Sequence, residues 1–233
     1  MRYPGRTHVF ASCQGIMTKM KTLVFLGSVR ESTPPRPMRL GARVAKACAL
    51  QLSEMGIEVE IVDPLEIDQT PPFKPHFAYS ASRVPADLRG VAAKIGAADA
   101  YVAVSPEYNH SMSPALANLL NHFGSSLFSY KPSAIVTYSA GQWGGARAAV
   151  NMRTFLSELG CLPVSAMVHV PHAQDVLVDN GTFAADVDEE RWKGYFGGTF
   201  RQLAWWAEAA KAQHQVTSPT EAFTRDPSQR NAP

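Results

Sequence analysis

Two hydrophobic patterns alternate along the chain. Apolar-rich runs at Leu23–Leu26, Ile57–Val62, Ala100–Val104, Ala134–Tyr138 and Leu162–Val170 read as strands of a sheet buried on both faces. Between them, apolar residues recur at helical spacing. Val44, Cys48, Leu52 and Met55 line one face of a helix closed by Gly56. A helical stretch covers Pro85 to Ile95. Ser113 is a natural N-cap with Pro114 at the first helical position, and Leu116, Leu119, Leu120 and Phe123 follow on one face. Another helix runs from Ala146 to Leu159 and stops at Gly160, and a last one spans Asp188 to Ala212, with Trp192, Phe196, Leu203 and Trp206 against the body. Residues 63–83, broken by Pro64, Pro71, Pro72 and Pro75, form a long surface excursion with the character of a lid.

Strand, loop and helix repeated about five times predict a doubly wound α/β domain, because each crossover helix must pack back onto the sheet. The expected architecture is a five-stranded parallel sheet in three α/β/α layers over residues 21–212. Residues 1–20 form a flexible N-terminal extension in this reading, and residues 213–233 a disordered tail. The extension has Arg2, Arg6, His8 and Lys19 and no acid before Glu31, the composition of a transit peptide. A flexible extension, or initiation at Met17 or Met20, accounts for the same letters and is preferred.

Composition narrows the class. With 45% hydrophobic and 18% charged residues the chain buries a core unaided. A net charge of +2 is too small for a dedicated nucleic-acid binder, so a small-molecule partner is expected. Cys13, Cys48 and Cys161 are scattered, which argues against a disulfide framework and a zinc site and for a reducing, cytoplasmic compartment. No apolar run is long enough to cross a bilayer.

The chemistry gathers in three loops at strand carboxyl ends, where doubly wound sheets bind ligands. Gly27-Ser28-Val29-Arg30-Glu31-Ser32 offers hydroxyls, backbone N–H groups and a guanidinium at a helix start, a combination suited to phosphate. It is neither a G-x-G-x-x-G fingerprint nor a P-loop. Taken alone, it reads equally well as a polar turn. Ser105-Pro106-Glu107-Tyr108-Asn109-His110-Ser111 supplies a rigid turn and an aromatic wall for a planar heterocycle. In Ser139-Ala140-Gly141-Gln142-Trp143-Gly144-Gly145, three glycines in five residues let backbone approach a flat ligand.

In order and spacing these loops, with the Ser-Pro-Ala-Leu helix start after the second, resemble those of the NADPH-dependent FMN reductases of flavodoxin-like fold, a family that includes quinone and azo-dye reductases. The resemblance covers about residues 22–170. It implies that Ser28 and Arg30 hold the FMN phosphate, that Pro106, Glu107, Tyr108 and Asn109 position the isoalloxazine, and that Ser139, Gly141, Gly144 and Gly145 line its other edge. NADPH is the implied co-substrate, and a homodimer or homotetramer the implied assembly. The chain departs from the pattern at the Pro-rich insertion Ser32–Met38, which makes Arg36 and Arg39 further phosphate candidates. It also carries Ala117 and Asn121 where relatives often have Lys and Asp.

The expected function is hydride transfer from NADPH through bound FMN to a small acceptor: free flavin, a quinone, an azo compound or a metal ion. No side-chain nucleophile is needed, and His110 is a candidate proton donor. The alternative is a flavodoxin-like electron carrier or FMN-binding interaction module. The near-neutral surface favours the enzyme, because carriers dock through strongly acidic faces. Elsewhere the bland readings are preferred: His122, His169 and His172 structural, Asp63, Glu66 and Asp68 a solvated turn, Cys48 a core residue. Trp205 and Trp206 pack on the domain or on a neighbouring subunit.

Overall fold

Lys21–Leu26 forms β1, and every residue after its exposed first lysine is buried, as a strand covered on both faces requires. The computed structural model describes residues 19–30, 39–68 and 73–219. Helix α1 (Leu40–Glu54) buries Val44, Cys48 and Leu52, and Gly56 closes it at φ +81°. β2 is Glu58–Val62. Three single 3₁₀ turns, Pro64–Glu66, His76–Ala78 and Ala81–Arg83, punctuate the described part of the excursion. There follow α2 (Ala86–Ala97), β3 (Ala100–Pro106), α3 (Pro114–Asn121), α4 (Ser125–Phe128), β4 (Pro132–Tyr138) and α5 (Ala146–Glu158). Ser113 caps α3 as expected, its hydroxyl accepting from the Leu116 N–H at 3.1 Å.

The fifth strand departs from the single run expected over Leu162–Val170. It is two pieces, β5 (Leu162–Pro163) and β6 (Val168–Val170), both parallel to β4. Pro163 has no N–H to give the ladder, and Arg153 takes the carbonyls of Val164 at 2.8 Å and Ser165 at 2.6 Å. The Val164 N–H still donates to the Ser133 carbonyl of β4 at 2.8 Å, but the carbonyls of Val164 and Ser165 are satisfied by Arg153 rather than by the sheet.

Strand order is β2-β1-β3-β4-β5, all pairs parallel. The chain winds outward from β1 to β2, then returns to place β3 on the other side of β1. That reversal opens a crevice at the carboxyl ends of β1 and β3. One face of the sheet packs Val24, Val102 and Val136 against α1 and the last helix; the other packs Phe25, Tyr101 and Ile135 against α2, α3 and α5. This is the flavodoxin-like α/β/α sandwich.

After the short α6 (Ala173–Val176), α7 runs from Glu189 to Val216, capped by Asp188 and extending past the expected boundary at residue 212. Phe196, Phe200, Leu203 and Ala207 form its buried stripe. Trp206, expected on that face, is 48% exposed: one position before Ala207, it is turned about 100° away from the stripe. Trp205 is exposed as well. Cys48 is fully buried, as expected of a core residue, and burial pushes its thiol pKa well up. Among the described residues no group of acidic, Cys or His side chains is arranged to hold a metal, and no helix is long and apolar enough to cross a membrane. Residues 1–18 of the expected extension, Cys13 and residues 220–233 of the expected tail lie outside the described residues.

Candidate flavin site

The first two loops are tied together by their own polar groups before any ligand is considered. The Gly27 N–H donates to the Val104 carbonyl at 2.7 Å, and the Gly27 carbonyl accepts from the Ser113 hydroxyl at 2.6 Å. The Ser113 N–H in turn donates to the Ser105 hydroxyl at 2.9 Å. The end of β1 is therefore fixed to the end of β3 and the start of α3.

Beyond Gly27, Ser28 is almost buried. Its carbonyl accepts from Arg39, whose Nε lies at 3.1 Å and whose Nη2 also donates to it. Arg39 sits in the left-handed region, φ +36°, just before α1, and its guanidinium meets Asp63 on both carboxylate oxygens at 2.5 and 2.6 Å. Two expectations change here. Asp63 is not a solvated turn residue: its side chain is 18% exposed, and it is the counter-ion of the first loop while also capping the turn at Leu65. Arg39 lines the crevice with its charge already met, which makes it a frame for Ser28 rather than a free phosphate cation. Arg30 is exposed and has no ion-pair partner among the described residues. Arg36 lies outside them.

Two residues the sequence reading did not single out shape this end. Tyr138, the last residue of β4, is buried and directed at Ser28; burial raises its phenol pKa, while the hydrogen bond with Ser28 opposes that shift. A Cβ on Gly41 would lie 2.4 Å from the Tyr138 hydroxyl and 2.8 Å from the Ser28 Cβ, so only glycine lets α1 start this close to the loop. No local pattern marks either residue, because both matter through neighbours distant in the chain.

In the second loop Tyr108 and Ser111 exchange backbone hydrogen bonds at 2.9 and 2.8 Å around a two-residue turn. Asn109 and His110 both take positive φ, +49° and +62°, as a type I′ turn demands. Glu107 is 14% exposed. Its Oε1 lies 3.0 Å from Arg147 Nε and 3.9 Å from the His110 ring, while its Oε2 is buried with no hydrogen-bond partner. Arg147 also rests over the exposed Trp143 ring at 5.7 Å.

The third loop is closed by Ser139, whose hydroxyl donates to the Gly141 carbonyl at 2.7 Å and accepts from the Gly144 N–H at 2.9 Å. Two of its glycines answer to the protein itself. A Cβ on Gly144 would press on Pro171 and His169, one on Gly145 on Thr137, and both residues have positive φ. Only Gly141 faces open space, so it alone carries the expectation that missing side chains admit a flat ligand. His169 is a structural histidine: its Nδ1 pairs with the Thr137 hydroxyl at 2.7 Å, and burial lowers its pKa. His122 is buried too, with its pKa lowered by desolvation.

The structure gathers Ser28, Arg30, Pro106, Glu107, Tyr108 and Ser139 around one cavity of about 500 Å³, with Arg39, Tyr138 and Gln174 completing its wall. Asn109, His110, Gly141, Gly144 and Gly145 stand behind or beside that wall. A larger cavity, about 690 Å³, lies at the opposite end of the sheet beside Leu162 and Trp206, away from all three loops.

The family model for NADPH-dependent FMN reductase matches residues 20–175. This chain belongs to that family. It is 35% identical over 83 residues to an NADPH azoreductase of Bacillus sp. (strain OY1-2), covering 35% of this chain and 47% of that protein. It is 36% identical over 101 residues to an NAD(P)H-dependent FMN reductase of Pseudomonas aeruginosa, covering 42% of this chain and 55% of that one. The matched segments thus span about half the length of these curated relatives. Among solved structures, the flavoenzyme NAD(P)H:(acceptor) oxidoreductase FerB of Paracoccus denitrificans aligns with TM-score 0.62 and 21% identity over 81% of this chain and 98% of its own. The apo form of the NADH:FMN oxidoreductase EMOB aligns with TM-score 0.58 and 14% identity over 80% and 90%. Both are likenesses of fold.

The residues suit FMN. Glu107 and Gln174 line the cavity, and Glu107 Oε2 and Gln174 Oε1 are buried acceptors with no hydrogen-bond partner among the described residues, so the wall carries polar groups for a planar heterocycle. Arg30 gives the cavity a cation that has no ion-pair partner among the described residues, suited to an anionic tail.

Proposed function

We propose that this protein is an NAD(P)H-dependent FMN oxidoreductase that passes reducing equivalents to a small acceptor such as free flavin, a quinone, an azo compound or a metal ion. The observation carrying this reading is the convergence of the three family loops on one cavity lined by Arg30, unpaired among the described residues, and by polar residues of the second and third loops. When bound, FMN would supply the redox chemistry, hydride uptake from a reduced nicotinamide and electron release to the second substrate.

The chain's own residues bind and orient. Arg30, the backbone around Ser28 and the first-turn N–H groups of α1 hold the phosphate, with Arg39 and Asp63 fixing the Ser28 carbonyl out of its way. Pro106 to Asn109 would shape the slot for the tricycle, with Glu107 in its wall. Ser139 and Ala140 line the opposite side, with Gly141 beside them. Tyr108, 50% exposed, lines the cavity and gives planar substrates an aromatic surface to stack on. Since donor and acceptor share one opening, they alternate, and parallel double-reciprocal lines are expected. His110 lies outside the cavity wall, its ring beside Glu107, where it is open to solvent for proton exchange with a departing acceptor.

The test begins with the purified full chain, reconstituted with FMN, desalted and examined by visible absorption. Retained yellow colour, bleached by NADPH under anaerobic conditions and restored by a quinone or azo dye, is the expected result. A colourless protein after reconstitution refutes the reading. FMN retention without bleaching by either nicotinamide identifies an electron carrier instead.

A further inference from the structure

The second loop holds its shape against the preferences of its own residues. A two-residue turn with both central residues left-handed favours Asn-Gly, yet here the second position is His110, whose Cβ makes φ +62° unfavourable. Something outside the turn must hold it. Two contacts do, both from the same side of α5: Arg147 Nε reaches Glu107 at 3.0 Å, and Asn151 Nδ2 donates to the His110 carbonyl. Arg147 and Asn151 are one helical turn apart, so they meet the two ends of the loop as neighbours on one face. Behind them, Ala148, Ala149, Met152 and Leu156 anchor α5 in the core.

We infer that Arg147 and Asn151 are positioning residues: a brace on α5 that holds the Glu107–Ser111 turn in its strained form and fixes the Glu107 carboxylate in the cavity wall. Arg147 holds Oε1, which sets the orientation of the carboxylate, while Oε2 is buried with no partner among the described residues. Asn151 secures the carbonyl of the residue with the least favourable backbone. The effect on flavin rests on the function proposed above; the mechanical effect on the turn does not.

Two readouts separate these dependencies. In the ligand-free chain, hydrogen exchange at the Tyr108 and Ser111 amides reports whether the turn is closed; FMN titration reports whether Glu107 is held in place. Asn151→Ala and the near-isosteric Asn151→Asp, which loses the Nδ2 donor, should each speed exchange at these two amides about three- to tenfold, the range for losing one exposed hydrogen bond, and weaken FMN by a similar factor. Exchange in β3 should stay unchanged. His110→Gly creates the Asn-Gly pair that forms this turn unaided, so adding it to Asn151→Ala should restore slow exchange and recover FMN affinity. Arg147→Lys keeps the charge but not the Nε contact, and should weaken FMN with little effect on Ser111 exchange.

Unaltered exchange in both Asn151 variants, or no recovery in the double variant, overturns the brace. Faster exchange with unchanged FMN affinity also overturns it as a positioning device. If the parent chain fails to take up FMN, the proposed function falls, while the exchange data still decide whether α5 braces the turn.

Discussion

Replacing Gly41 by alanine tests whether the close approach of α1 to the first loop shapes the phosphate end of the crevice. In a helix this change ordinarily stabilises by about 0.5–1 kcal/mol, because alanine has less freedom to lose on folding. At Gly41 the added methyl would stand 2.4 Å from the Tyr138 hydroxyl, 2.8 Å from the Ser28 Cβ and 3.1 Å from Leu26 Cδ1. Restoring ordinary contact requires a shift of about 1 Å among groups that are themselves buried, and overpacking of this kind costs roughly 1–3 kcal/mol. The net expectation is a loss of about 1–2 kcal/mol, which in a chain of this size lowers Tm by roughly 2–8 °C. The groups that must yield, Tyr138 and Ser28, border the phosphate end, so FMN affinity should fall about tenfold, the equivalent of one misplaced hydrogen bond. Gly90 on α2 is the internal control. A Cβ there meets nothing within 4 Å, and Gly90→Ala should raise Tm. Thermal melts and FMN titrations of the two variants decide the matter: Gly41→Ala as stable as Gly90→Ala, with parental FMN affinity, would refute the packing argument.

Other perturbations probe different parts of the same frame. Arg30→Ala should weaken FMN by about 1.5–3 kcal/mol, the range for a charge-assisted hydrogen bond, and an unchanged dissociation constant would remove Arg30 from the phosphate site. Asp63→Asn leaves the Arg39 charge uncompensated beside the crevice; Tm should fall while FMN binds about two- to fivefold tighter at low salt, and equal affinity at low and high salt would contradict this. Lys131 donates to the Ile95 and Gly96 carbonyls, and burial lowers its pKa to about 8 from 10.5, with Asp99 opposing the shift. The unfolded chain then keeps this proton to higher pH than the folded one, so the folded state gains stability as pH rises from 8 towards 10.5 and loses it as pH falls through 8. Lys131→Met lacks this dependence; the Tm of the parent relative to the variant should climb between about pH 7.5 and 10, and a flat difference would show that Lys131 titrates normally.

Much of this architecture was legible in the linear pattern. Apolar runs at Leu23–Leu26, Ala100–Val104 and Ala134–Tyr138 admit only strands buried on both faces, and the intervening 3.6-residue periodicity makes the connections helical, which forces a parallel sheet. Ser113-Pro114 and Gly56 marked helix ends because capping is a local matter, decided within one turn of chain. The loops were legible as a set because a doubly wound sheet delivers its strand ends to one side.

What the sequence left open depends on contacts between residues far apart in the chain. The break in the fifth strand follows from Arg153 reaching across to the carbonyls of Val164 and Ser165. Asp63 became the partner of Arg39 because the carboxyl ends of β1 and β2 lie side by side, a distance that no local pattern encodes. Gly144 and Gly145 looked like room for a ligand, but their space belongs to His169, Pro171 and Thr137. His110 stood out only as a candidate proton donor and Asn151 not at all; their pairing depends on α5 docking beside the turn. Sequence determines which segments become strands, helices and ligand-facing loops, since those follow from local geometry and hydrophobic period. Which polar group meets which is decided only when packing fixes the three-dimensional distances.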